Sequence, residues 1–268
     1  MTSLAAWSGY DNRGPSSFYL VSDSRISWPG GGHWDFGRKL FAPSASADLF
    51  GYCGDVLFPS LVLSDALTLI ELGLVFGKND NALLRHEKLV TLLTELFSTY
   101  PPQSKQLFTI VHSAREDEGM KSNFFLWSLE WAPSTDWVNT LIEIPPDSTL
   151  VMAKCSGDKS VKEYNKKWRD ALGGVCRTAF SSFCEALTAN ADPQSGGAPQ
   201  LVTLRRIGAG EYVGVIFGNQ KYLLGVPVVH SVDCQHIEWR DHLFQRCDCV
   251  TLQLLNGAQR QPRPRISS

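Results

Sequence analysis

The sequence predicts an α+β fold in which two β-sheets pack face to face and helices cover their outer sides, a four-layer sandwich. Three observations carry that reading. Strand-like runs fall into three groups, and two pairs of helical segments separate them. Within each group the runs follow one another through short turns, as in antiparallel meanders. At 268 residues, 43% of them apolar and 19% charged, the chain is long enough to bury both faces of such a stack.

Residues 3–7 and 17–22 read as two strands around the turn-forming stretch D-N-R-G-P. The Gly- and Pro-rich loop W-P-G-G-G-H-W leads to short strands at 37–42 and 48–53. A helix is predicted over 56–75, with Pro59 tolerated in its first turn. A second spans 82–99, where Leu89, Leu92, Leu93, Leu96 and Phe97 recur at helical spacing, and Pro101–Pro102 ends it. Apolar, β-prone runs follow at 107–112, 124–131, 137–144 and 149–155. Helices at 158–171 and 176–189 and strands at 200–206, 211–217 and 221–226 complete the pattern. In the remainder, W-R-D-H-L-F and C-D-C-V-T-L-Q-L-L predict a helix and an edge strand, and the Pro- and Arg-rich end predicts a disordered tail.

Composition narrows the function. With 25 basic and 27 acidic residues the net charge is −2, so nothing electrostatic points to nucleic acid. No apolar run approaches the roughly 18–20 residues that span a bilayer, and the N-terminus has no secretory signature. Seven cysteines, an odd number at irregular spacing, predict reduced thiols and a cytoplasmic setting. His230, Cys234, His236, Cys247 and Cys249 raise zinc, but C-x-C without a matching knuckle is poor spacing for a structural site, and no metal or cofactor is expected.

The residues that carry chemistry come in a fixed order. Thr2 lies directly behind Met1; D-S-R follows at 23–25, then Lys39, F-G-Y-C-G-D with Gly51, K-C-S-G at 154–157 and A-D-P-Q-S-G-G at 191–197. Taken singly, D-S-R is an ordinary strand-end salt bridge and Lys39 a surface lysine. Taken together, over residues 2–226, the set resembles the proteasome-type β subunits, N-terminal-nucleophile hydrolases of αββα architecture. An N-terminal Thr joins a nucleophile to a base, because an α-amine with a pKa of about 7.7–8.0 accepts a proton near neutral pH.

The resemblance implies that Met1 is removed and Thr2 becomes the nucleophile of a threonine peptidase. It gives Asp23 and Lys39 the charged roles, Gly51 the oxyanion N–H, and Ser156, Asp192 and Ser195 the task of holding the amine and its water. Arg25 supports the site, and Ile26, Gly37, Leu49, Cys53 and Leu57 line an uncharged pocket, with Gly37 leaving room at its base. A peptide or protein substrate, a homo-oligomer and an ATPase unfoldase partner are part of the same implication. Alternatives stay open: an amidase acting on a non-peptide amide, or a noncatalytic assembly subunit.

The chain also departs from the family. The first hairpin is several residues longer, Cys155 stands where Gly is frequent, and the nucleophile follows Met1 with no propeptide, which makes self-cleavage unnecessary. The expected organisation is a hydrolase domain at 2–226, an extension packed on it at 227–255, and a disordered tail at 256–268.

Overall fold

Strand β1 (Leu4–Asp11) folds back on β2 (Gly14–Ser22) to make the longest hairpin of the first sheet. The computed structural model describes residues 2–28, 30–229 and 233–264. The strands extend further toward the turn than predicted, because a register shift at Gly9/Tyr10 absorbs the extra residues and Gly14, at φ +102°, closes the turn. β10 (Leu150–Lys154) flanks β1 on one side. β11 (Gln200–Arg205) flanks β2 on the other, followed by β12 (Glu211–Phe217), β13 (Gln220–Leu223) and β14 (Val226–Pro227).

The second sheet runs β5 (Leu40–Phe41), β6 (Asp48–Gly54), β7 (Phe108–Glu116), β8 (Asn123–Ala132) and β9 (Asp136–Leu141), a plain antiparallel meander. Four α-helices occur among the described residues: α1 (Leu57–Glu71), α2 (Ala82–Thr99), α3 (Asp158–Leu172) and α4 (Cys176–Thr188). Asn81 starts α2 by accepting the Leu84 N–H on its side chain. α1 stops earlier than predicted because Gly73 turns left-handed (φ +69°), with its N–H and that of Leu74 closing on Ile70 and Leu69.

Three apolar cores follow from this order. In the first, Val62, Leu63, Leu89 and Leu93 of α1 and α2 pack on Phe50, Tyr52 and Ile110 of the second sheet. Leu4, Ala6, Leu20 and Val202 of the first sheet meet Leu40, Leu49, Val111 and Leu126 of the second. Phe180 and Phe183 of α4 cover Trp7, Val21, Leu201 and Val213 on the other face of the first sheet. The alternation along β1 shows the division: Leu4 and Ala6 face the other sheet, while Ala5 and Trp7 face the helices.

Three expectations need correction. The predicted strand at 37–42 shrinks to two residues, because the amides of Lys39 and Leu40 are taken by the Gln200 side chain. The segment W-R-D-H-L-F is no helix. The Asp241 carboxylate accepts the Leu243 and Gln245 N–H groups, Phe244 is left-handed at φ +63°, and the chain forms β15 (Trp239–Asp241) and β16 (Arg246–Cys247) instead. β15 adds to β12 in parallel. Finally, four thiols are oxidised: Cys53 bonds to Cys155 and Cys234 to Cys249. That removes the argument from free thiols for a cytoplasmic setting. No helix among the described residues is long and apolar enough to cross a membrane.

The Cys53–Cys155 bond ties β6 of one sheet to the end of β10 in the other across 102 positions of sequence. Closing so long a loop restricts the unfolded chain strongly, so Cys53→Ala/Cys155→Ala is expected to lower the unfolding free energy by about 2–4 kcal/mol. Urea denaturation of the oxidised protein and the double variant checks this. Equal stabilities would contradict it.

Candidate active site

The register of the first hairpin brings the N-terminus to D-S-R. Leu4 pairs with Ser22, and one step further Asp23 N donates to Ser3 O while Ser3 N donates to Asp23 Oδ1 (3.0 Å). Asp23 is fully buried and its carboxylate accepts four hydrogen bonds. Ser3 N and Lys39 Nζ reach Oδ1; the N–H groups of Arg25 and Gly196 reach Oδ2, each at 3.0 Å. Acceptance of its own Arg25 amide two residues on explains why D-S-R forms a tight bend.

Lys39 enters from just before β5 and is fully buried. Its ammonium donates to Thr2 Oγ1 (2.9 Å), Asp23 Oδ1 (2.9 Å) and Arg25 O (2.6 Å), which uses all three N–H groups. Burial holds the Lys39 pKa below the usual lysine value, against the opposing pull of Asp23. Thr2 is itself 1% exposed.

Ser156, Asp192 and Ser195 also meet beside Thr2. The hydroxyls of Ser156 and Ser195 each donate to Asp192 Oδ2 at 2.7 Å. Ser195 lies 2.8 Å from Ser3 Oγ, and Ser156 Oγ lies 3.4 Å from Thr2 O. The glycines of the two motifs make room. A side chain at Gly157 would strike Ser3 Oγ, and one at Gly196 would strike the Arg25 guanidinium. Arg25 grips Asp35 with Nε and Nη2 (2.8 and 3.0 Å) and Pro193 O with Nη1. Asp35 is the partner that raises the Arg25 pKa.

Three contributors were not singled out from the sequence. Ser3 links Asp23 to Ser195, and Gly196 supplies a carboxylate donor. Gln200 is fully buried, and its Oε1 accepts from Lys39 N. Its Nε2 donates to Gly37 O and Ser24 Oγ and lies 3.4 Å from Asp23 O, so one amide fixes both segments that carry the ion pair. Ser3 adjoins Thr2, and Gly196 lies inside the quoted A-D-P-Q-S-G-G stretch without a role given to it; Gln200 stands at the head of a predicted strand with no local signal.

Other residues lie elsewhere than expected. Gly51 is inside the β6 ladder, with Leu4, Leu20 and Leu40 packed over its Cα. Tyr52 N donates to Lys39 O, so by alternation the Gly51 N–H turns the other way, toward Val111, and not into the site. The same alternation aims the Gly54 N–H to the Lys39 side, past the end of β5. Gly54 has φ +95°, and a side chain there would meet Leu107 O at 2.7 Å. Leu49 and Cys53 are buried in the inter-sheet core, Cys53 in a disulfide. The Ile26 side chain fills the space over Gly37, so no room is left at that base. Leu57 is exposed at the start of α1. Near D-S-R, the short hairpin β3 (Ile26–Ser27) and β4 (His33–Trp34) exposes Trp28, Trp34 and Phe36.

Among the described residues no group of three or more His, Cys, Asp or Glu side chains could hold a metal. Of the residues considered for zinc, Cys234 and Cys249 are bonded to each other, Cys247 is buried, His236 is exposed, and His230 lies outside the described residues.

The chain has the fold of the proteasome-like N-terminal-nucleophile subunits. Among solved structures it is similar to Anbu, the ancestral β-subunit, from Yersinia bercovieri, with TM-score 0.54 and 10% identity over 83% of this chain and 87% of that one. A Gly-1 mutant of Anbu from Hyphomicrobium sp. strain MC1 gives TM-score 0.51 and 11% identity over 88% and 90%. No known family's sequence profile and no curated protein matches the chain.

The ion pair is expected to behave as one unit. Lys39→Met leaves the Asp23 carboxylate buried without its cation, and Asp23→Asn leaves the ammonium without its anion; each should destabilise by about 3–5 kcal/mol. The double variant should recover part of that loss in urea denaturation. Losses that simply add would contradict the coupling.

Proposed function

We propose that the protein is a threonine hydrolase that cleaves peptide bonds with Thr2, freed by removal of Met1, as nucleophile and general base in one residue. One observation carries this reading: Lys39 Nζ is 2.9 Å from both Thr2 Oγ1 and Asp23 Oδ1 in a buried setting. A buried ammonium against the hydroxyl favours its alkoxide character, and Asp23 keeps the ammonium charged and oriented. Met1 itself lies outside the described residues.

In this mechanism the free α-amine takes the Thr2 hydroxyl proton as Oγ1 attacks the substrate carbonyl carbon. The tetrahedral oxyanion is received by the N–H of Gly54, whose direction and close-packed backbone suit that role in place of Gly51. The protonated amine then gives its proton to the departing amine of the substrate as the C–N bond breaks. Water, activated by the same α-amine, hydrolyses the resulting ester. Ser156, Asp192 and Ser195 hold the amine and that water through their shared hydrogen bonds.

The three stacked cores support the αββα four-layer sandwich, with residues 2–226 as the hydrolase domain. In this reading the chain from 227 to 255 is an extension packed on that domain, supported among its described residues by Phe244, which enters the core under α4, and by β15, which adds to β12. Oligomeric assembly, with or without an ATPase unfoldase, belongs to the same proposal.

Thr2→Ala is expected to abolish hydrolysis of unstructured peptides in a chain that still folds, with a loss of stability of about 1–3 kcal/mol because one buried Lys39 N–H loses its acceptor. A fusion that permanently acylates the Thr2 amine should be equally inactive. Full activity of either would overturn the mechanism. Turnover of small acyl amides but not peptides would favour the amidase alternative, and turnover of neither would favour a scaffold.

Substrate preference rests in this reading on the partly exposed Ile26, next to the D-S-R bend, and on Leu57, exposed at the start of α1, rather than on the buried Leu49 and Cys53. Burying a large apolar side chain against them contributes roughly 1.5–3 kcal/mol, whereas an unpaired charge is disfavoured. Cleavage is therefore expected after Leu, Phe or Tyr and poorly after Asp, Glu or Arg. A fluorogenic panel varied only at that residue checks it; preference for a charged residue would contradict it.

A further inference from the structure

At the far end of the first hairpin, about 26 Å along β1 from Thr2 at roughly 3.3 Å per residue, the fold encloses a second site. The cavity there measures about 910 Å³ and lies between the β1–β2 hairpin, the start of α4 and the C-terminal extension. That volume accommodates a small organic molecule of nucleotide size. Its lining holds three arginines, Arg177, Arg240 and Arg246, and no carboxylate.

The three cations differ in how far they are already satisfied. Arg240 pairs with Glu238 and stacks on Phe244 (4.4 Å), so it contributes mainly a fixed wall. Arg177 holds only the backbone oxygen of Arg260. Arg246 is exposed and its guanidinium has no partner among the described residues. Nearby acids are largely engaged: Glu238 by Arg205 and Arg240, and Asp11 by Arg206. Asp147 acts on Tyr10 at the rim.

Neutral donors converge on the same space. α4 begins there without a side-chain cap, which leaves the amides of its first two residues, Cys176 and Arg177, and the positive end of its dipole toward the cavity; the hydroxyls of Ser16 and Ser148 line it but already donate to Gly9 O and Tyr10 O. Tyr10 and Phe244 add aromatic surface. Guanidinium forks and open helix-start amides are a donor set that matches a phosphate group's oxygens.

We propose that this cavity binds a small phosphate-bearing organic molecule, remote from Thr2 and independent of the hydrolase reading. Arg177 and Arg246 hold the phosphate, while Tyr10 and Phe244 seat the organic part.

Isothermal titration of the full chain at low ionic strength, with pyrophosphate and with ATP as probes, tests it. Saturable one-to-one binding is expected, with ATP tighter than pyrophosphate. Arg246→Gln should weaken it about tenfold through loss of a charge-assisted bond, and Arg177→Gln/Arg246→Gln should abolish it. Both changes leave the apolar cores untouched, so melting temperatures without ligand should match the parent chain. Lys78→Gln, an exposed cation on the α1–α2 connection, should bind as the parent does. Absence of saturable binding by either probe would overturn the proposal. So would equal affinity for the two, unchanged affinity in Arg246→Gln, or equal weakening by Lys78→Gln.

Discussion

A buried ammonium is the constraint on which the site depends. Lys39 Nζ has three N–H groups and the interior offers three acceptors, on Thr2, Asp23 and Arg25. Removing a charge from water costs several kcal/mol, so the pair persists only because both partners are fully hydrogen-bonded. Asp23 meets that condition with three backbone amides besides Lys39. Those amides come from the start of β1, the D-S-R bend and the S-G-G turn. Satisfying one carboxylate therefore draws three distant segments of sequence to a point beside Thr2.

The larger architecture serves that convergence. The β1–β2 register sets Ser3 opposite Asp23, and the β2–β11 pairing, in which Gln200 opposes Ser22, brings in the Gln200 amide. Gln200 diverts Lys39 and Leu40 from strand pairing, and the shortness of β5 is the visible result. On the opposite side, Cys155 adopts φ +68°, a conformation unusual for a side-chain-bearing residue, and its disulfide to Cys53 anchors the turn that carries Ser156. The position where glycine is frequent in proteasome-type subunits is thus filled by a residue that links the two sheets.

Much of this was legible in the sequence. Helical periodicity located α2 within its true limits, since Leu89, Leu93 and Phe97 are among the residues it buries, together with Ala82 and His86. The ordered motifs identified Thr2, Asp23, Lys39, Ser156, Asp192 and Ser195, and these do come together. Gly51 lies inside the β6 ladder, paired with Val111, and Gly54 stands three residues further on; which of the two N–H groups faces Thr2 is a question of strand alternation that the motif alone does not address. The pocket residues Leu49 and Cys53 point into the inter-sheet core, a question of side-chain parity that motif matching does not address. Disulfides between Cys53 and Cys155 and within the extension depend on contacts between remote segments, for which irregular spacing gives no sign. Gln200 was invisible for the same reason: its importance lies in its contacts with both segments that carry the ion pair.

The central claim is that Thr2 presents a free α-amine and an activated hydroxyl together. The most direct measurement is intact and peptide-level mass spectrometry after treatment with an electrophile that bonds to both the hydroxyl and the free amine of one residue. If Thr2 acts as proposed, the chain lacks Met1, carries one adduct, located on Thr2, and loses that adduct in Lys39→Ala. A chain that retains Met1 yet hydrolyses peptides, or an adduct on any other residue, would contradict it.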